Sequence, residues 1–122
     1  MDNQRYKEQL LARTKRFSID VLDFVDNIPS RGSSTQIILN QLVRSATSIG
    51  ANIVEAQAAS SRKDFTNFIR HALKPANETC YWLDLLRETK RGDAVAIQRL
   101  LPEATELSKL LGSSVLVLKG KR

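Results

Sequence analysis

Lys63, Arg70 and Lys74 recur with Asn77 and Tyr81 along one stretch of the chain. On a helix turning about 100° per residue, these five fall within roughly 60° of one another. Cations in such a stripe neutralise phosphates and release their counterions. A phenol ring among them can stack on an unpaired base. The pattern therefore suits nucleic-acid binding through Lys63, Arg70, Lys74 and Tyr81, with a plain solvated helix face as the competing reading. Arg62, Arg87, Lys90, Arg91 and the basic tail Lys119-Gly120-Lys121-Arg122 would extend such a surface.

Other chemistries find few residues to work with. His71 is the one histidine and Cys80 the one cysteine. Carboxylate-bridged metal bundles need paired Glu-x-x-His motifs, and zinc sites need several Cys or His ligands. Neither pattern occurs, so no metal or other cofactor is expected. His71 reads as a surface side chain. Cys80 shares a helical face with Ala76 and Leu83 and reads as a small buried hydrophobe. Ser45 and Ser48 have no histidine nearby in sequence and sit in no Gly-x-Ser-x-Gly elbow. No glycine-rich phosphate loop is present. The expectation is a protein without catalytic activity.

A second polar stripe runs through Arg44, Ser48, Asn52 and Glu55. These four span roughly 80° of a helix, on the side away from Ile53. Ser45, Gly50 and Ala51 beside them are small enough to let another backbone come close. Two readings stand. One is an exposed ligand site. The favoured one is a helix–helix or subunit contact in which Arg44 pairs with Glu55 or Glu78 and Asn52 satisfies neighbouring groups. Trp82 and Leu85 fall off the main apolar face of the same segment as Tyr81. An apolar patch outside the core marks an interface, so Arg44, Ser48, Asn52, Glu55, Trp82 and Leu85 are the candidate oligomer interface.

Four amphipathic segments must position these residues. Residues 3–28 read as a first helix, with Tyr6, Leu10, Phe17, Val21, Phe24 and Ile28 on one face and Leu11, Leu22 and Val25 widening it. Pro29 and Gly32 end it. Ser33 or Ser34 is expected to cap a second helix running to about Ala59. Ser61 with Asp64 resembles a capping box at the start of a third, over about 62–90. Its face runs through Phe65, Phe68, Ile69, Ala72, Leu73, Ala76, Cys80, Leu83 and Leu86. That face continues unbroken past Pro75, which predicts a kink and not a boundary. Gly92 closes the third helix and Asp93 caps a fourth, to about Leu118, with Ile97, Leu100, Leu101, Ala104, Leu107, Leu111, Val115 and Leu118 on its face. Short turns between long helices imply an all-α, antiparallel up-down-up-down four-helix bundle, a single domain over residues 1–122.

Composition sets the outer bounds. The 122 residues are 42% hydrophobic and 26% charged, the usual balance of a globular domain. A net charge of +6 favours polyanionic partners. A lone cysteine offers no internal disulfide, so a reducing compartment is expected. The first residues form no apolar signal core, and no apolar run is long enough to span a membrane. A cytoplasmic protein is the expectation.

The run Gln41-Leu42-x-Arg44-Ser45-Ala46-x-Ser48-Ile49-Gly50-Ala51-Asn52-Ile53-x-Glu55-Ala56 resembles the signature of the 23S rRNA intervening-sequence protein family of bacteria. Ala72-Leu73-Lys74-x-Ala76-Asn77-Glu78-Thr79-x-Tyr81-Trp82-Leu83 looks like its second conserved block. That resemblance implies a four-helix bundle, a ring-like homopentamer, suspected RNA binding and no enzymatic activity. A similar branch comprises the accessory variability determinant proteins of diversity-generating retroelements, which bind nucleic acid and a reverse transcriptase. Membership of that branch would imply a role as an interaction scaffold. Two features depart from the pattern. Pro75 stands where the family has a helix-friendly residue, and Gly112-Ser113-Ser114 replaces the Gly-Gly-Trp of the accessory branch.

Overall fold

Breakers are scarce and the apolar period is helical almost throughout, so the chain folds into four long helices. A computed structural model describes residues 3–29 and 32–120. The helices are α1 (Asn3–Asp26), α2 (Ser33–Gln57), α3 (Arg62–Glu88) and α4 (Ala94–Leu118). Each packs on its sequence neighbours, and α4 closes back onto α1. Among the described residues the backbones of diagonal helices do not approach one another, which is the up-down-up-down arrangement that short turns enforce. The α2–α3 contact is the most extensive and the α1–α4 contact the least. Among the described residues no helix is long and apolar enough to cross a membrane.

The helix ends follow local chemistry. Ser61 Oγ accepts the Asp64 N–H at 3.1 Å, and Asp64 Oδ2 accepts the Ser60 N–H at 3.1 Å, a reciprocal cap of the expected kind. Asp93 Oδ1 accepts the Val95 N–H at 3.1 Å. At α2 the expectation fails: Gly32 is the N-cap and no side chain caps it. Ser33 and Ser34 already lie inside the helix, and Ser34 Oγ instead accepts from Arg91 Nη1 at 2.9 Å. The end of α3 is also displaced by two residues. Arg91 N–H returns to Leu86 O at 2.9 Å and Lys90 N–H to Arg87 O at 3.2 Å, the paired bonds of a Schellman stop. Lys90, not Gly92, therefore occupies the left-handed cap, with φ 57°. Gly92 is left-handed as well, one step further into the turn, at φ 85°.

The core holds the residues expected of it, among them Leu10, Phe17, Leu42, Ile53, Leu83 and Leu107, all nearly or fully buried. Leu22 is the clear departure, 41% exposed on the outside of α1. Phe65, Phe68, Leu73 and Cys80 are half-buried at the margin. Thr14 of α1 and Thr66 and Thr79 of α3 are buried instead of exposed. Each hydroxyl donates to the carbonyl four residues earlier: Leu10 O at 2.9 Å, Arg62 O at 2.8 Å and Pro75 O at 2.8 Å. A satisfied hydroxyl is tolerated in the interior, and a short side chain lets helices approach.

Where α1 and α4 pack least, polar links join them. Arg13 grips Glu103 through two bonds of 2.7 Å. That hydrogen bond raises the Arg13 pKa above its ordinary value. Tyr6 and Ser114 hydroxyls meet at the other end of the same seam. Of the three aspartates near the end of α1, Asp20 pairs with Arg16 at 3.0 Å.

Candidate nucleic-acid interface

α3 turns Ile69, Ala72, Ala76, Leu83 and Leu86 into the bundle, so the opposite side of the helix faces solvent. Lys63, Arg70, Lys74 and Tyr81 all lie on it and all are exposed. They run along about 27 Å of helix, at 1.5 Å per residue. Tyr81 is 60% exposed and meets Trp82 edge-on, ring centroids 5.0 Å apart. None of the three cations forms an ion pair among the described residues. Glu78 is the carboxylate nearest Lys74 along the helix, one turn away and also exposed.

At its N-terminal end the stripe widens into a groove. Antiparallel packing sets the first turns of α3 beside the last turn of α4. Arg62, Lys63, Thr66, Asn67 and Arg70 form one wall, Leu118 and Lys119 the other, around about 510 Å³. Four of these seven residues are cations and none is an anion. Asp64, the nearby carboxylate, is turned back onto Ser60. Arg62 Nε donates to Leu118 O at 3.2 Å, where the end of a helix leaves its carbonyls unpaired. Arg70 Nη1 reaches Asn67 Oδ1 at 3.4 Å. The arrangement can hold a phosphate chain, because close like charges on one wall are relieved by an anion between them. Sequence reading names Arg62 and Lys119 as extensions of the surface but misses their juxtaposition. Its signal lies in the antiparallel alignment, which brings the start of one helix to the end of the next. Lys121 and Arg122, also expected to contribute, lie outside the described residues.

The Arg44, Ser48, Asn52, Glu55 stripe behaves differently from the expectation of mutual pairing. Arg44 and Glu55 are exposed, and neither forms an ion pair among the described residues. Eleven residues of helix separate them by about 16 Å, too far for a pair within one chain. Ser48 Oγ donates to Arg44 O at 2.7 Å. Asn52 reaches across to α3: its Nδ2 donates to Ser48 O at 2.9 Å and His71 O at 3.4 Å. Pro75 explains why that carbonyl is available. Proline has no N–H to give to the residue four positions back, which is His71. Asn52 thus supplies the donor that Pro75 removes.

Replacing Asn52 by Ala is expected to cost about 1 kcal/mol of stability. In a Pro75→Ala background residue 75 regains its N–H, and the cost of losing Asn52 should shrink. A double-mutant cycle by urea unfolding checks this, and simple additivity would argue against the pairing.

The small residues of the same stretch also serve packing within the chain. Ser45 Oγ lies 2.8 Å from Thr79 Oγ1, both buried. Gly50 faces α1, where an added Cβ would meet Thr14 O at 3.5 Å, an ordinary contact. Ala51 is exposed. Trp82 and Leu85 are half-buried and packed against the core, so they form less of an outlying patch than their spacing suggests. Trp82 Nε1 is buried without an acceptor among the described residues.

His71 is exposed, edge-on to Phe68 at 6.2 Å. Cys80 Sγ lies 3.7 Å from Ser108 Oγ. Among the described residues no group of three His, Cys, Asp or Glu side chains could hold a metal ion.

Comparison with known proteins agrees with the helices and the two sequence blocks. The profile of the 23S rRNA-intervening sequence protein family matches residues 7–113. The crystal structure of a protein with unknown function from the S23 ribosomal protein family, from Bacteroides thetaiotaomicron, is similar at a TM-score of 0.77 and 34% identity. That likeness covers 89% of this chain and 96% of the other. No curated protein matches. With most of its length in the match, the chain belongs to the 23S rRNA-intervening sequence protein family.

Proposed function

We propose that this protein is a non-enzymatic RNA-binding homo-oligomer, with RNA held along the α3 stripe and the groove at the end of α3 and α4. The observation that carries the reading is the groove's lining, four cations and no carboxylate. Lys74 and Tyr81 extend it along the helix, one to hold a further phosphate and one to stack on a base. The family's description refers to 23S rRNA, which makes RNA the first polyanion to test.

Assembly into a ring such as a pentamer repeats the groove, and phosphate contacts add. Arg44 and Glu55, exposed and without an ion pair among the described residues, suit pairing between copies on the outer side of α2. Light scattering at micromolar concentration checks assembly, and a monomer would overturn it.

The RNA reading is tested by titrating single-stranded and structured RNA against salt. With three or four phosphates neutralised per chain on a single strand, the logarithm of the binding constant should fall against that of salt with a slope of about −2 to −3. Absence of binding at low salt overturns the reading. The alternative would then be an interaction scaffold, of the kind a reverse-transcriptase accessory subunit represents.

A further inference from the structure

A second cavity, of about 580 Å³, lies at the same end of the bundle as the cationic groove. It opens between the first turns of α1, the α2–α3 turn and the last turns of α4. Arg62 and Leu118 line both cavities, so the two adjoin across these residues. Their linings differ in kind. The groove is cationic. The second cavity is walled by Tyr6, Phe65, Leu110 and Val117, with Gln57 and Ser114 among its polar groups. Its size falls within the usual range of about 300–1,000 Å³ for small-ligand sites, and apolar walls with few polar groups are what such sites share.

We propose that this cavity receives the base of a nucleotide whose phosphate sits on Arg62 and the groove. The inference rests on the RNA reading above and narrows it to unpaired nucleotides, because a paired base cannot leave its stack without cost. Three features fit that ligand. Two aromatic rings supply flat apolar surface for a base. Gln57 Oε1 has no donor among the described residues, where only its Nε2 is engaged, by Ile53 O at 3.1 Å. Arg62 stands between the compartments with only Nε committed, so its terminal nitrogens are available to a phosphate. Lys7 adds a second cation at the rim, its Nζ 4.7 Å from the centre of the Phe65 ring. A base sliding onto that ring displaces the ammonium toward the phosphate side. The nucleotide's source is either a strand or a free mononucleotide, and both present the same chemistry.

Binding of a short oligouridylate is compared with binding of the same ribose-phosphate strand lacking its bases. The abasic strand keeps every phosphate contact and should bind about tenfold more weakly, the effect of one stacked base. Phe65→Leu keeps an apolar wall and should narrow that gap while leaving abasic binding unchanged. Uridine monophosphate, followed by shifts in the Tyr6 and Phe65 ring resonances, reports a free nucleotide. Equal binding of the two strands would overturn the base site and leave the groove reading intact. If neither strand binds but the mononucleotide shifts those rings, the site stands as a nucleotide pocket and the RNA reading falls. If nothing binds, both fall.

Discussion

Changing Lys63 and Arg70 together to Glu is expected to lower RNA affinity about a hundredfold at low salt. Each replacement turns an attraction to phosphate into a repulsion, each at most about 1 kcal/mol at 4 Å in water-like surroundings. With screening by salt the net is about 1.4 kcal/mol, or tenfold, per site. The slope of the salt dependence should also flatten by about 1.4, two contacts at 0.7 each for a single strand. Both residues are exposed and line the groove, so the fold should survive. The control is Arg99→Glu with Lys109→Glu. It alters net charge by the same amount at two exposed positions of α4 outside the groove. If the control weakens binding as much as the groove variant, net charge and not the groove governs the interaction. Thermal melts of both proteins separate loss of binding from loss of fold.

Gly92→Ala is expected to destabilise the protein by about 2–5 kcal/mol, a large share of the roughly 5–15 kcal/mol typical of a domain. Two costs combine. At φ 85° an L side chain is strained by about 1–2 kcal/mol. The added Cβ would also lie 2.7 Å from Phe24 Cζ, a contact real Cβ atoms do not make. Phe24 is part of the core, so its ring has to move, at the roughly 1–3 kcal/mol of an overpacked site. Lys90 provides the contrast two residues earlier. Its left-handed φ of 57° relaxes on replacement by Gly, which should stabilise by up to about 1 kcal/mol. Urea unfolding of the two variants should therefore move in opposite directions. Similar shifts from both would show that the turn's backbone, and not the Phe24 contact, sets the cost.

Much of the bundle is legible in the chain because a helix repeats every 3.6 residues and burial follows one face. Leu42, Ile49 and Ile53 of α2, like Ile97, Leu107 and Leu111 of α4, can be assigned to the core from spacing alone. The ends are legible where a side chain makes the cap, as at Ser61 and Asp93. They are not where backbone does the work. Gly32 caps α2 without a side chain, and the Schellman bonds place Lys90 where glycine would be expected.

Buried polar residues are the harder case. Thr14, Thr66 and Thr79 read as surface by type, yet each hydroxyl is satisfied by its own helix and the small side chain fits between helices. Leu22 reads as core by type and lies outside, because the core face of α1 is already filled by Val21, Phe24 and Val25.

For the candidate site the division is similar. Lys63, Arg70, Lys74 and Tyr81 share one side of α3 in any helical reading, since the helix repeat alone decides that. Only antiparallel packing sets Arg62 and Lys119 against each other and opens the Tyr6–Phe65 cavity beside them. Likewise, sequence alone aligns Arg44, Ser48, Asn52 and Glu55, but it cannot say which of them turns toward a neighbour. Tertiary structure gives Asn52 to the carbonyl that Pro75 leaves without a donor, and leaves Arg44 and Glu55 in solvent. A helix's period is local and survives in any context, whereas a partner across helices exists only once the register between them is set.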